Sequence, residues 1–313
     1  MTAGGDAGVW TVILAQPPGV SVPIVDTARM SPAAALVCLH VAVALFGFAA
    51  LFGKWIALSP IAIVLGRTLV AAFTLALVMR IARHAIARPD RGFAQNGVLL
   101  ACHWVAFFAA VQAADVATAL LGFASFPVFV LLLTSWREHR RPSALELSSV
   151  ALVVLGLALV VREASWSSRS VQGLAWGVVA GFTFALLALR NRMRVQQENP
   201  VTLALWQNAF AALALLPVTI VVYRDGVPAM TFTEVGLIVV LGVACTGLAH
   251  SLFVASMRRV SAHVASVVTA LEPVYGIAWA ALFLHETPDA RTLAGGGLIL
   301  IAATLASRDA GRG

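Results

Sequence analysis

From about residue 33 onward the chain is a succession of long apolar runs broken by short polar punctuation. Reading between charged, proline and asparagine breaks gives ten runs: 33–54, 59–79, 95–113, 116–135, 144–161, 171–189, 201–222, 235–256, 262–284 and 292–307. Each approaches the roughly 20 apolar residues that a helix needs to cross a bilayer. Hydrocarbon offers no partner to an open backbone, so a run of this kind is helical when it spans. The pattern predicts an all-α integral membrane protein with ten transmembrane helices. Only Gln112 and Asp115 relieve the apolar stretch between the third and fourth runs, which predicts a very tight hairpin there. Residues 1–30 are different. Val9 to Ala15 is apolar but too short to span; Asp6 stands where a signal peptide carries basic residues, and Pro17, Pro18 and Pro23 break any pattern. This segment reads as a loose cytoplasmic tail, with Met30 as a second candidate start.

Composition sharpens the class. Of the 313 residues 60% are hydrophobic and 11% charged, against about 25% charged in a soluble domain. So little charge cannot cover a globule of this size in water. Cys38, Cys102 and Cys245 all lie in apolar runs and have neither a disulfide framework nor a metal-ligand spacing. The sequence implies no metal and no cofactor.

The net charge of +7 raises the question of nucleic acid, and the placement of the basic residues answers it. With the N-terminus in the cytoplasm, fifteen of the 21 Lys and Arg residues fall in cytoplasmic segments. Five (Lys54, Arg162, Arg169, Arg224, Arg291) fall outside, and Arg67 lies within a span. That bias over short loops is the positive-inside pattern, predicting both termini in the cytoplasm of a bacterial-type inner membrane. A nucleic-acid surface would gather these arginines on one face, whereas here they are dispersed over six segments.

The chain also repeats itself. Pro60-x6-Arg67 in the second run has a counterpart in Pro200-x6-Gln207 of the seventh, and Val116 to Pro127 (VATALLGFASFP) parallels Val260 to Pro273 (VSAHVASVVTALEP). Each of the latter pair precedes an apolar stretch ending at an acidic residue, Glu138 or Glu286. Five helices per half is an odd number, so the second half would enter the membrane inverted. The predicted organisation is a first repeat over 31–162 and an inverted second over 163–313. In carriers built this way the site lies at the midplane between halves.

At these residues the chain resembles the drug/metabolite transporter superfamily, in its ten-helix EamA-type branch. The closest stretch is Met257 to Ala306, containing MRRVSAHVASVVTALEPVYGIAWAALFLHET and then Gly295, Gly296 and Gly297. Phe46-Gly47 stands where the family usually has Trp-Gly, followed by Lys54, Pro60 and Arg67; Trp176-Gly177 and Gln207 fit the opening of the second repeat. Pro127 to Glu138 is shorter than the family's pattern. The resemblance covers about residues 33–307. It implies export of small metabolites, often amino acids or their relatives, driven by an ion gradient.

Ionisable groups inside the spans are the candidate chemistry, because a charge near the bilayer centre costs about 3 kcal/mol on insertion scales. Glu272 precedes Pro273 near the middle of the ninth run, where the proline frees a carbonyl and lets the helix bend. Its carboxyl reads as a proton- or ion-coupling group, as a clamp for a substrate amine, or as a structural acid bonded to a neighbouring helix or to Arg67. Arg67 suits carboxylate binding through its forked donors; snorkelling to the interface or a helix-to-helix pair are the plainer readings. Lys54 ends the first run, as a pathway residue or an interface anchor. His103 and His250 lie 24 and 23 residues before Pro127 and Pro273, at nearly equivalent repeat positions. They read as substrate or proton ligands, or as histidines bonded to a neighbour's carbonyl. His263 is nearer the cytoplasmic turn. Trp104 beside His103, and Trp206 beside Gln207, could line a pocket or simply pack. Pro127 and Pro273 are the predicted helix breaks. Gly173, Gly177 and Gly181 form a GxxxGxxxG strip that predicts close helix packing.

The chain lacks HExxH, GxSxG, Walker and dinucleotide motifs, and Glu272 has no second carboxyl near the middle of a span. A membrane-embedded enzyme and a non-transporting scaffold or sensor are the alternatives. The expectation is a gradient-driven carrier whose partners are a small-molecule substrate, the lipid bilayer and a coupling proton, with no nucleic acid.

Overall fold

The computed structural model describes residues 30–139, 141–161, 165, 167–194, 198–226, 229–257, 259–260 and 268–309. The tail over 1–29, residues 261–267 of the second repeated motif (with His263), and Arg140, Arg162, Arg258 and Arg312 lie outside them.

Among the described residues the structure is helical, with no strand. The helices are α1 (Pro32–Trp55), α2 (Pro60–Ile81), α3 (Arg91–Ala113), α4 (Val116–Phe123), α5 (Phe126–Arg137), α6 (Ala144–Val160), α7 (Arg169–Arg194) and α8 (Pro200–Val222). Next come α9 (Phe232–Gly242), a six-residue π turn (Val243–Leu248) and α10 (Ala249–Ser256), then α11 (Glu272–Phe283) and α12 (Ala290–Asp309). Seven segments are long and apolar enough to cross a membrane, counting Val116–Arg137 and Phe232–Ser256 each as one; Ala144–Val160 and Ala290–Leu305 are shorter apolar helices. The chain is a multi-pass membrane protein. Several ends differ from the sequence pattern: α3 begins at Arg91 and not at 95, α7 runs on to Arg194, and α9 begins at Phe232.

Short polar residues set the starts. Ser31, Ser59, Asp90, Asp115, Asn199 and Thr231 each accept a hydrogen bond from a backbone N–H of the following turn, and Pro32, Pro60 and Pro200 occupy the first helical position, where no N–H is missed. Ser143 with Glu146, and Thr231 with Glu234, close reciprocal capping boxes. At the other ends Arg83, His139 and His285 take positive φ of 53°, 53° and 56° just past α2, α5 and α11, the left-handed turn that stops a helix.

Small residues then set how closely the helices approach. A Cβ on Gly47 of α1 would lie 2.7 Å from Gly276 N and 3.0 Å from Glu272 O, so α1 and α11 cross backbone to backbone. The strip on α7 does the same work: Gly177 faces the Ala119 carbonyl and Gly122 of α4, and Gly181 faces Phe123 and Ser125. Other close neighbours are α3 with α7 and α8, α2 with α8, and α6 with α12. Large apolar side chains such as Phe73, Leu213, Ile220 and Leu282 point outward. Water would make that surface an aggregation hazard; hydrocarbon makes it the expected exterior.

Candidate functional site

Both helix breaks fall beside the same space. Between α4 and α5 only Ala124 and Ser125 intervene, with Ser125 Oγ donating to Gly122 O at 2.7 Å and Pro127 second in α5. The chain turns at Ala270–Leu271 before Glu272 opens α11, with Pro273 second. Each proline sits where its missing N–H costs nothing.

The cavity there is lined by Phe46, Ala49, Arg67, Leu100, His103, Trp104, Phe107, Phe123, Phe184, His250 and Glu272. Five of the sequence-predicted site residues thus meet: Arg67 from α2, His103 and Trp104 from α3, His250 from α10 and Glu272 from α11. All five are buried. Its volume of about 30 Å³ admits two or three waters at roughly 10–15 Å³ each. A metabolite needs the helices to part. A larger cavity of about 340 Å³ between α2, α8 and α9 has no charged side chain. Several of its residues, Leu69, Val235 and Val239 among them, are exposed on the apolar exterior, so size does not select it.

Arg67 is held, and does not snorkel. It is 1% exposed, its Nε donates to Thr246 Oγ1 at 2.8 Å, and its Nη2 donates to Cys245 O at 3.4 Å. Its guanidinium carbon lies 4.0 Å from the Trp104 ring centroid and 5.3 Å from that of Phe108. A buried cation–π contact contributes about 2 kcal/mol against the desolvation of the charge. Thr246 and Cys245 belong to the π turn, whose wider winding is frequent at functional sites. Gly242 lets that helix come close, since a Cβ there would lie 2.6 Å from Val70 and 3.0 Å from Arg67 O. No ion pair within 4.0 Å joins Arg67 to Glu272, so the two side chains face one space without direct contact between their charged ends.

The two histidines are oriented from behind. His103 Nδ1 lies 3.0 Å from the Ala180 carbonyl oxygen, and its ring packs among Phe107, Phe123 and Phe184. His250 Nε2 lies 3.1 Å from Gln207 Oε1. Gln207 does not line the cavity but stands one bond behind it, donating from Nε2 to Asn191 Oδ1 at 2.5 Å.

Lys54 lies elsewhere. It donates to Ala114 O at 2.6 Å and sits 3.9 Å from Glu286 Oε1, while Glu286 Oε2 accepts from Val116 N at 2.8 Å. That cluster ties α1 and the end of α11 to the α3–α4 hairpin. Trp206 is also away from the cavity, donating to Ala87 O at 2.8 Å. At the basic end of the bundle Arg194 pairs with Asp90 and stacks on Phe93, and that hydrogen bond holds the Asp90 carboxyl below the usual carboxylate range.

Sequence reasoning missed Thr246, Asn96, Asn191 and Arg190, which support these groups. Thr246 carried one signal, a hydroxyl between Gly242 and Gly247 in an otherwise apolar run. The other three stand at span ends, where polar residues are expected in any case.

A profile described as the EamA-like transporter family matches the chain twice, over residues 33–162 and 171–308. Phe46, Arg67, His103, Trp104 and Phe123 come from the first matched region and Phe184, His250 and Glu272 from the second, so the cavity lies between them. Among curated proteins the chain is similar to the pseudopaline exporter CntI of Pseudomonas aeruginosa, 28% identical over 247 residues, covering 79% of this chain and 85% of that protein. It is also similar to an uncharacterised transporter, YxxF, of Bacillus subtilis, 25% identical over 214 residues and 67% of each chain. One crystal structure superposes with a TM-score of 0.62 over 90% of this chain and 99% of that one, at 18% identity, a likeness of fold alone.

Proposed function

Because the chain belongs to the EamA-like transporter family, we propose that it is a secondary carrier of the inner (plasma) membrane. It exports small polar or amphipathic metabolites, amino acids or their relatives, by alternating access. Its two matched regions act as opposed repeats around the cavity, with both termini in the cytoplasm as the arginine distribution indicates. One observation carries the reading: Arg67, His103, His250 and Glu272, ionisable side chains from four different helices and from both matched regions, converge on one small cavity. A bilayer tolerates such groups where they have a task.

The cavity's contraction suits the occluded stage of such a cycle. Arg67 offers donors to an anionic group, Glu272 an acceptor to a cationic one, and the aromatic walls receive an apolar portion. Protonation of Glu272 in one conformation and its release in the other couples transport to the proton gradient. Because a relative is a pseudopaline exporter, pseudopaline is tested beside amino acids.

The test uses purified protein in vesicles with an imposed pH gradient and labelled amino acids or pseudopaline as cargo. Glu272→Gln is expected to abolish gradient-driven movement while cargo exchange at zero gradient persists, because the amide oxygen still accepts from a cationic group but takes up no proton. Wild-type gradient-driven rates in Glu272→Gln would make the carboxylate structural. Chemical conversion of the recovered cargo, read by mass spectrometry, would favour the embedded-enzyme alternative.

A further inference from the structure

Behind His250 a line of side chains crosses three helices to the basic end of the bundle. His250 Nε2 meets Gln207 Oε1 at 3.1 Å, and Gln207 Nε2 donates to Asn191 Oδ1 at 2.5 Å. The same Asn191 oxygen accepts from Asn96 Nδ2 at 3.0 Å, and Asn96 Oδ1 accepts from Arg190 Nε at 2.7 Å. Arg190 Nη2 also donates to Gln95 Oε1. Gln207, Asn191 and Asn96 are buried, and Arg190 is half-buried.

The line has a direction, and Arg190 sets it. A guanidinium only donates, whereas an amide donates at one end and accepts at the other. Arg190 therefore fixes the Asn96 oxygen toward itself and its nitrogen toward Asn191. Asn191 answers with its oxygen, whose two lone pairs take both Asn96 and Gln207. Gln207 has then committed its nitrogen and shows its oxygen to His250. An amide oxygen has no hydrogen to give, so neutral His250 carries its proton on Nε2 and its Nδ1 is bare. Flipping Asn96 or Gln207 would set oxygen against oxygen, and flipping Asn191 would set nitrogen against nitrogen, in a buried site where unmet polar groups are costly.

We propose that Arg190, Asn96, Asn191 and Gln207 are positioning residues that lock His250 as the Nε2–H tautomer, leaving its Nδ1 bare as a proton acceptor. A proton arriving at Nδ1 leaves the Nε2–H to Gln207 bond in place, so loading needs no rearrangement behind the ring. His103 reaches a related state by one step: a carbonyl oxygen holds its Nδ1–H, which leaves Nε2 bare. The other charged and titratable groups around His250 are Arg67 of α2, His103 of α3, Glu272 of α11 and Cys245 on the π turn of its own helix. A part for that Nδ1 in passing the coupling proton of Glu272 rests on the carrier reading; the tautomer does not.

The experiment is nitrogen NMR of the full chain in lipid nanodiscs, with ring-labelled histidine and the His250 signals identified by their loss in His250→Gln. We expect neutral His250 to carry its proton on Nε2 with at least about a tenfold preference, the scale of one hydrogen bond. On acidification Nδ1 should gain the proton while the Nε2–H signal stays bonded. Asn191→Leu removes the shared acceptor and should bring the two tautomers to within a few-fold of each other. Should Asn191→Leu fail to fold, Arg190→Met at the rim takes its place, with the same expected loss. A wild-type protein with its proton on Nδ1 overturns the proposal, as does an unchanged preference in the folded variant. This readout contains no transport step, so its failure and the failure of Glu272→Gln to block gradient-driven transport are separate results.

Discussion

Replacing Gly47 by alanine probes how the backbone that bears Glu272 is held. The added Cβ would sit 2.7 Å from Gly276 N, 3.0 Å from Glu272 O and 3.1 Å from Gly276 Cα, where ordinary contact begins at 3.4 Å. All three neighbours are backbone atoms, so no side chain can swing aside and α11 must retreat by about 0.7 Å. Overpacking of this kind costs about 1–3 kcal/mol. Alanine also gains about 1 kcal/mol of helix propensity over glycine, so a matched control is needed. Gly236 of α9 supplies it, since a Cβ there meets nothing within 4 Å. The propensity gain is common to Gly47→Ala and Gly236→Ala and cancels in their difference, leaving about 1–3 kcal/mol against the former. Denaturant titration in mixed micelles, followed by tryptophan fluorescence, reads that difference. Gradient-driven transport should fall in Gly47→Ala and hold in Gly236→Ala. Equal unfolding midpoints for the two variants would refute the backbone crossing of α1 and α11.

Two further outcomes are expected. Thr246→Val removes the acceptor of Arg67 Nε and should cost about 1.5–3 kcal/mol, the range for a bond to a charged group; the same titration checks it, and the loss should shrink when Arg67→Met is added, because the buried charge is then gone. Single cysteines in place of Ser143 and Ser168, in a background without Cys38, Cys102 and Cys245, should react with an impermeant maleimide from opposite sides of the membrane. Labelling from one side would overturn the proposed topology.

Much of the helical layout is legible in the sequence because its signals are local. A serine, aspartate or asparagine followed by an apolar run, often with proline next, caps a helix without help from tertiary structure, as at Ser31, Ser59 and Asn199. The site is half legible for a different reason. Arg67, His103, His250 and Glu272 stand out as costly groups in apolar runs, and the fold gathers all four. Lys54 looks equivalent by that criterion yet belongs to the other end of α1, because distance along a run does not tell which neighbour a side chain will meet. Trp104 and Trp206 each stand beside a polar residue, and only contact with Arg67 separates their fates. The π turn has no composition of its own; Arg67 packed against it reveals its use only in three dimensions.

The file of amides behind His250 also matters for what it withholds. A thread of water, carboxylates or imidazoles from the membrane interior to the basic rim would conduct, and the cell would lose its gradient through it. Carboxamides neither take up nor give off protons under physiological conditions. Asn96, Asn191 and Gln207 can therefore transmit an orientation across the bundle while insulating the chamber electrically on that side.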